Sequence, residues 1–259
     1  MPDISLTTLL LLCLAAALAG WIDAVVGGGG LLLIPALLLG LPQVPAAHAL
    51  GTNKAVAIVG TTGAAVTYVR KAPVSVKTAV RIGLFALAGS MGGAFFAAGI
   101  SSDVLRPVIM VVLLGVAAFV LFRPAFGTAT EARGPVTRAR VVTAIVLVGG
   151  GLGFYDGLFG PGTGTFLVLA LTAVLHLDMV TASATAKIVN VCTNAGALAM
   201  FAYQGSVLWQ LAVLMAVFNL AGGQLGARMA LRKGAEFVRG VLLVVVFSLV
   251  AKLAFDQWA

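Results

Sequence analysis

Charge is what this chain has least of. Only 9% of its 259 residues are Asp, Glu, Lys or Arg, where a soluble domain carries about 25%. That shortfall excludes an ordinary water-facing surface. Acids are the scarcest, and Asp23 and Asp156 are the two that fall inside apolar sequence. The two cysteines, Cys13 and Cys192, each lie in an apolar segment, which excludes a disulfide framework and leaves them as packing residues. The two histidines, His48 and His176, stand apart and read as helix-end residues. The clustered His, Cys or carboxylate groups that a metal needs are missing, so neither a metal nor a cofactor is expected. No G-x-x-x-x-G-K-S/T occurs. The chain therefore carries no phosphate-binding loop, and coupling to protons or another ion gradient is expected instead.

What is abundant is apolar sequence. Hydrophobic residues make up 61% of the chain and the mean hydropathy is +1.13. Apolar runs recur from end to end, which is the pattern of a polytopic helical membrane protein in contact with lipid throughout. The formal charge of +8 does not point to nucleic acid, because the basic residues collect in a few loops between apolar runs, as orientation in a membrane requires. Ala17-Leu18-Ala19 has the form of a signal-peptide cleavage site, but the N-terminus carries Asp3 in place of a basic stretch, so the first run reads as a membrane helix.

The apolar segments fall at about 4–26, 31–41, 46–69, 78–99 and 104–122, then at about 141–159, 164–175, 179–203, 208–231 and 237–255. In each half the second segment is far shorter than the roughly 20 residues of a spanning helix and follows a glycine cluster, so it reads as a half-helix. Residues 123–140, with Arg123, Arg133, Arg138 and Arg140, read as a cytoplasmic linker. The expected fold is all-α: a transmembrane repeat at 1–122, the linker at 123–140 and a second repeat at 141–259. Each repeat has about four long helices and one half-helix.

Sliding the chain against itself supports the duplication. At an offset of 133 residues, 23 of the 89 pairs from Gly20/Gly153 to Val108/Val241 are identical, where composition alone gives roughly nine. The loop at 70–77 carries Arg70, Lys71 and Lys77, while its counterpart at 203–208 carries no charge. After the fourth segment the bias reverses, with Arg228, Arg232, Lys233 and Arg239 in the second half. Equivalent loops then face opposite sides, so inverted repeats are expected.

The residues that carry chemistry sit at matched positions. Gly27, Gly28, Gly29 and Gly30 precede the first half-helix. Gly160, Gly162, Thr163, Gly164 and Thr165 open the second. Helix N-termini present free N–H groups and the positive end of the dipole, which suit an oxyanion. Close helix packing is the competing use of such glycines. Lys54 and Lys187 lie about eight residues, or roughly 12 Å, into long apolar helices, where an unpaired cation is costly. Either a substrate anion or the aspartates Asp23 and Asp156 would neutralise them, and those acids are candidates for ion pairing or proton coupling. Thr52, Asn53 and Thr185 are further hydrogen-bonding candidates, with Asn190 and Asn194 nearby.

The run Gly20 to Leu31 (GWIDAVVGGGGL), with Gly51-Thr52-Asn53-Lys54 after it and Gly153 to Gly164 (GFYDGLFGPGTG) in the second half, resembles the TauE/SafE sulfite exporter family. The resemblance spans nearly the whole chain. It implies a secondary transporter of the inner (cytoplasmic) membrane, not an enzyme, exporting sulfite or a small organosulfur or sulfonate anion. A channel or metal-cation permease is the first alternative and an intramembrane aspartyl enzyme the second, though the G-x-G-D partner motif of the latter is absent.

Overall fold

A computed structural model describes the backbone of residues 4–122 and 137–258, and the side chains of 4–116, 137–233 and Phe237. Within that range the fold is all helix. The first half comprises α1 (Leu6–Val26), the half-helix α2 (Gly29–Gly40), α3 (Ala46–Val69), α4 (Val76–Gly99) and α5 (Ser102–Phe122). The second opens with a continuous rod, Arg138–Leu158, made of α6 (Arg138–Thr143), a π-helical stretch (Ala144–Leu152) and α7 (Gly153–Leu158). The half-helix α8 (Thr163–Leu175), α9 (Met179–Tyr203) and α10 (Trp209–Trp258) follow. Leu6–Val26, Val76–Gly99, Arg138–Leu158 and Trp209–Lys233 are each long and apolar enough to cross a membrane.

Burial is inverted relative to a water-soluble bundle. Large apolar side chains such as Leu10, Leu14, Phe85, Phe95, Val213 and Val217 face outward, while alanines such as Ala16, Ala19, Ala64, Ala86 and Ala197 fill the interior together with Thr61, Ser90, Thr193 and Asn219. Lipid is as apolar as leucine, so the drive for association comes from close backbone approach and interhelical hydrogen bonds. Asn219 Nδ2 donates to the Ala16 carbonyl at 2.8 Å, and Ser90 Oγ to the Thr193 carbonyl at 2.7 Å.

The halves exchange their first helices. α1 packs along α10, the α7 rod along α4, and α3 against α9. Matched glycines make both exchanges: a Cβ on Gly222 would lie 1.9 Å from the Ala17 carbonyl oxygen and one on Gly89 2.7 Å from that of Gly150. Gly226 and Gly93 meet the Trp21 and Phe154 carbonyls in the same matched way. α2 folds back beside α1, with Gly29 against Ala19 and Asp23 and Gly40 against Leu12 and Thr8. Its far end is fixed by Arg106, whose guanidinium donates to the carbonyls of Leu38 (3.4 Å), Pro42 (2.8 Å) and Val44 (2.6 Å). Leu38 is one of the oxygens that the helix end leaves unbonded, and Pro42 and Val44 belong to the turn that follows.

Two boundaries differ from the expectation. Of the linker expected at 123–140, residues 123–136 lie outside the described residues; Thr137 caps α6, its hydroxyl accepting from Arg140 N, so helix starts at Arg138 and not at 141. The charged stretch Arg232 to Glu236, expected to be a loop, is helical, and α10 runs unbroken from Trp209 to Trp258. Its sequence has no proline or capping serine there. The first half has Ser101 and Ser102 at the matching place, and Ile100 is extended at φ −87° and ψ 133°.

His176 ends α8 in a left-handed conformation at φ 56°, and His48 sits half-buried in the first turn of α3. Asp178 caps α9. Partial burial pushes its carboxyl up, but hydrogen bonds from the Thr181 side chain and from the N–H groups of Thr181 and Val180 outweigh this and hold it below the usual value.

The close approaches set a contrast. Gly222→Ala should lower stability by about 1–3 kcal/mol or more, because backbone has to move. Gly99→Ala, with nothing within 4 Å of the added carbon, should stay within about 0.5 kcal/mol. Thermal unfolding in detergent measures both, and equal losses would contradict the packing described.

Candidate functional site

The two glycine clusters meet. Gly27 ends α1 in the left-handed region (φ 80°), its N–H donating to the Asp23 carbonyl at 2.8 Å. Gly160 and Gly162 adopt φ 88° and 73° before α8. Only glycine takes such angles without strain. A Cβ on Gly27 would lie 2.3 Å from the Gly164 carbonyl carbon, and one on Gly164 would lie 2.5 Å from Gly27 Cα. The main chains of the two halves therefore touch with nothing between them. Gly30 faces the Gly160 oxygen and Pro161 at 3.4 and 3.5 Å from its notional Cβ.

An ion pair lies beside each break. Lys54 Nζ is 2.7 Å from Asp156 Oδ2, both side chains 2% exposed. Lys187 Nζ is 3.0 Å from Asp23 Oδ2, with Asp23 16% exposed. Lys187 also donates to the main-chain oxygen of Asp23, at the negative end of α1. Each pair crosses from one half to the other. Pairing each lysine with the aspartate of its own half, Lys54 with Asp23 and Lys187 with Asp156, is the simpler expectation, and the structure corrects it. The helix exchange is the reason: α3 and α9 lie against each other, and the tip of each half's first helix reaches the other half's lysine. Each aspartate faces an ammonium rather than a second carboxylate, which excludes an acid dyad.

The polar candidates divide. Thr165 Oγ1 donates to the Val26 carbonyl (2.7 Å), joining the two tips, and Thr163 Oγ1 donates to the Gly160 carbonyl (2.9 Å). Thr52 is not part of this cluster: its hydroxyl accepts from Leu208 N at 3.0 Å. Thr185 returns its hydroxyl to Thr181 O in its own helix. Asn190 accepts from the Thr193 hydroxyl, and Asn194 is buried. Asn53 is 4% exposed, with its Oδ1 enclosed and unpartnered.

Two contributors escape a reading by residue type. Thr61 Oγ1 donates to Asp23 Oδ2 at 3.1 Å. Its position seven residues beyond Lys54 on α3, matched by Asn194 in the repeat, is the signal that could have found it. Tyr155 hydroxyl donates to the Pro161 carbonyl at 2.6 Å, its ring against Phe159 and Phe166. Among the described residues no group of three or more His, Cys, Asp or Glu side chains could hold a metal.

The crossed pairing has a measurable consequence. Lys54→Met should cost about 3–5 kcal/mol, since Asp156 is left charged and buried. Adding Asp156→Asn should recover most of that loss, and adding Asp23→Asn should not. Denaturation of the three variants in detergent decides it.

A family model described as sulfite exporter TauE/SafE matches residues 12–253. The chain is 33% identical to a probable membrane transporter protein, ORF9, of Sinorhizobium sp., over 99% of this chain and 96% of that one. It is 33% identical to a probable membrane transporter protein of Haemophilus influenzae, over 98% of each. With the probable membrane transporter protein YfcA of Escherichia coli K12 the identity is 34%, covering 93% of this chain and 88% of the other. No solved structure gives a significant match.

Proposed function

The chain belongs to the sulfite exporter TauE/SafE family and is a multi-pass membrane transporter rather than an enzyme, and from that premise we propose that it exports sulfite or a small organosulfur or sulfonate anion across the cytoplasmic membrane by secondary transport. The observation that carries this reading is the pair of glycine breaks, each opening a half-helix, packed together between Lys54 and Lys187. The first amides of α2 and α8 and the two ammonium groups supply positive potential to one small region. Broken helices of this kind are where secondary transporters hold substrate.

The two lysines and two aspartates sum to zero charge. An anion therefore binds by displacing a carboxylate from an ammonium, and the displaced carboxylate has to be neutralised by a proton if no buried charge is to be left unpaired. Substrate binding and the contact between halves thus compete for the same groups. A cation permease has less support, because both buried carboxylates already hold a lysine.

The halves are taken to be inverted. The reading counts the half-helix α2 as part of a fifth, incomplete crossing beside α1, α3, α4 and α5, an odd number that places the linker opposite the N-terminus. Reporters fused after residues 72 and 205 should then read cytoplasmic and extracytoplasmic respectively. The same side for both would exclude inversion.

Transport is tested by counterflow of radiolabelled sulfite, sulfoacetate, taurine and sulfate in proteoliposomes. Sulfite or a sulfonate should exchange and taurine, a zwitterion, should exchange less. Gly30→Ala is the informative variant, since its Cβ fits at 3.4 Å or more from its neighbours while narrowing the mouth of α2. It should stay folded and lose exchange by roughly tenfold, about 1.4 kcal/mol of binding. Unchanged exchange would remove the glycines from the site. Gly29→Val cannot serve, because its Cβ would meet Ala19 O at 2.5 Å whatever the function.

A further inference from the structure

The two ion pairs are equivalent by repeat and unequal in their surroundings. Asp156 is sealed, and the break beside it is stitched by side chains: Tyr155 to the Pro161 carbonyl, Thr163 to the Gly160 carbonyl and Thr165 to the Val26 carbonyl. The break beside Asp23 consists of Gly27 to Gly30 and supplies no side chain of its own; the tip before it is held from outside, by Thr165, Tyr68 and Lys187 on the Val26, Ala24 and Asp23 carbonyls. Asp23 keeps 16% of its side chain exposed, against 2% for Asp156.

We propose that Asp23 and Lys187 form the working pair, in which Asp23 takes up a proton and yields the Lys187 ammonium to the oxyanion, with Thr61 positioning Asp23, while Lys54 and Asp156 form a fixed buckle between the halves. The proposal rests on the anion reading above. Lys187 is equipped for the exchange because it also donates to the Asp23 carbonyl. When the carboxylate becomes neutral, the ammonium stays docked at the tip of α1 with one donor free for the incoming anion. Thr61 bonds the same oxygen that faces Lys187, so it holds that oxygen toward the ammonium.

The proton comes from water, binds a carboxylate oxygen of Asp23 and leaves with the anion on the far side. One proton and one anion thus move together, and sulfite accumulating inside drives the cycle outward. The ionisable groups facing Asp23 are few. Lys187 lies on α9, and Tyr68 on α3 donates its hydroxyl to the Ala24 carbonyl at 3.0 Å. On α10, Arg228 is exposed just past Gly226, which abuts Trp21. α2 and α8 contribute no titratable side chain.

The test uses the wild-type chain in lipid vesicles and dicyclohexylcarbodiimide, which adds to a protonated carboxyl group and leaves a stable acylurea that mass spectrometry locates. As the pH falls toward the carboxylate range, from about 8 to about 5, label on Asp23, the more exposed of the two, should rise severalfold above that on the sealed Asp156. Sulfite should increase it further, because the bound anion holds the ammonium and leaves the carboxyl protonated. Thr61→Val should move the rise in labelling to higher pH, an effect that a purely structural threonine would not give. Equal labelling of the two aspartates, or an unlabelled Asp23 at every pH, would overturn the proposal. Failure of the substrate reading is separable: it appears as absent sulfite counterflow in the same vesicles, while the label on Asp23 needs no substrate.

Discussion

Everything in this molecule depends on two stretches of main chain touching with no side chain between them. At Gly27 and Gly164 the contact is as close as backbone allows, and it is possible because neither residue has a Cβ. It brings the tip of each half's first helix past the centre and into reach of the other half's lysine. The ion pairs follow from this contact, and so does the exchange of first helices onto α10 and α4. In a medium where apolar surface gives little drive for association, two buried charge pairs and a row of glycines add to the buried apolar clusters what those clusters alone supply only weakly.

The ion pairs are a poor investment for stability alone, since well-packed apolar residues of similar size often do as well. Their retention makes sense where charges must change partners. Binding and release of a small anion can be coupled to the fit between halves without moving an uncompensated charge through the bilayer. The four positions also differ in how tightly the surrounding chain holds them. The second break carries its own cross-links, from Tyr155 and Thr163, and Thr165 ties it to the first, whereas the first is built of glycines with no side chains to contribute, so a nearly symmetric frame carries an asymmetric centre.

Much of this was legible in the residues. The positions matched at an offset of 133 include the glycines of closest approach, Gly89 with Gly222 and Gly93 with Gly226, which sterics hold fixed. The half-helices were visible because a run of glycines before a short apolar segment has few other readings. Partner choice was not legible: matched lysines and aspartates fit pairing within a half as well as across halves, and only the path of α1 and α7 decides it. Thr61 was hidden because hydroxyls in membrane helices so often bond their own backbone, as Thr62 and Thr67 do here. The unbroken α10 was missed because a cluster of charges reads as a loop, whereas Arg, Lys, Ala and Glu are all good helix formers.

The crossed pairing also governs how the protein is made. Asp23 and Lys187 lie 164 residues apart in the chain, so when the first half enters the membrane its buried acid and its buried base, Asp23 and Lys54, have no partners yet. Synthesis proceeds at about 5–20 residues per second, which leaves these charges waiting for several seconds or more beside lipid or the insertion machinery. The first half therefore cannot complete the ion pairs of the finished fold by itself, although it looks like a complete unit by helix count. The native pairing of both charges is completed only when α7 and α9 arrive.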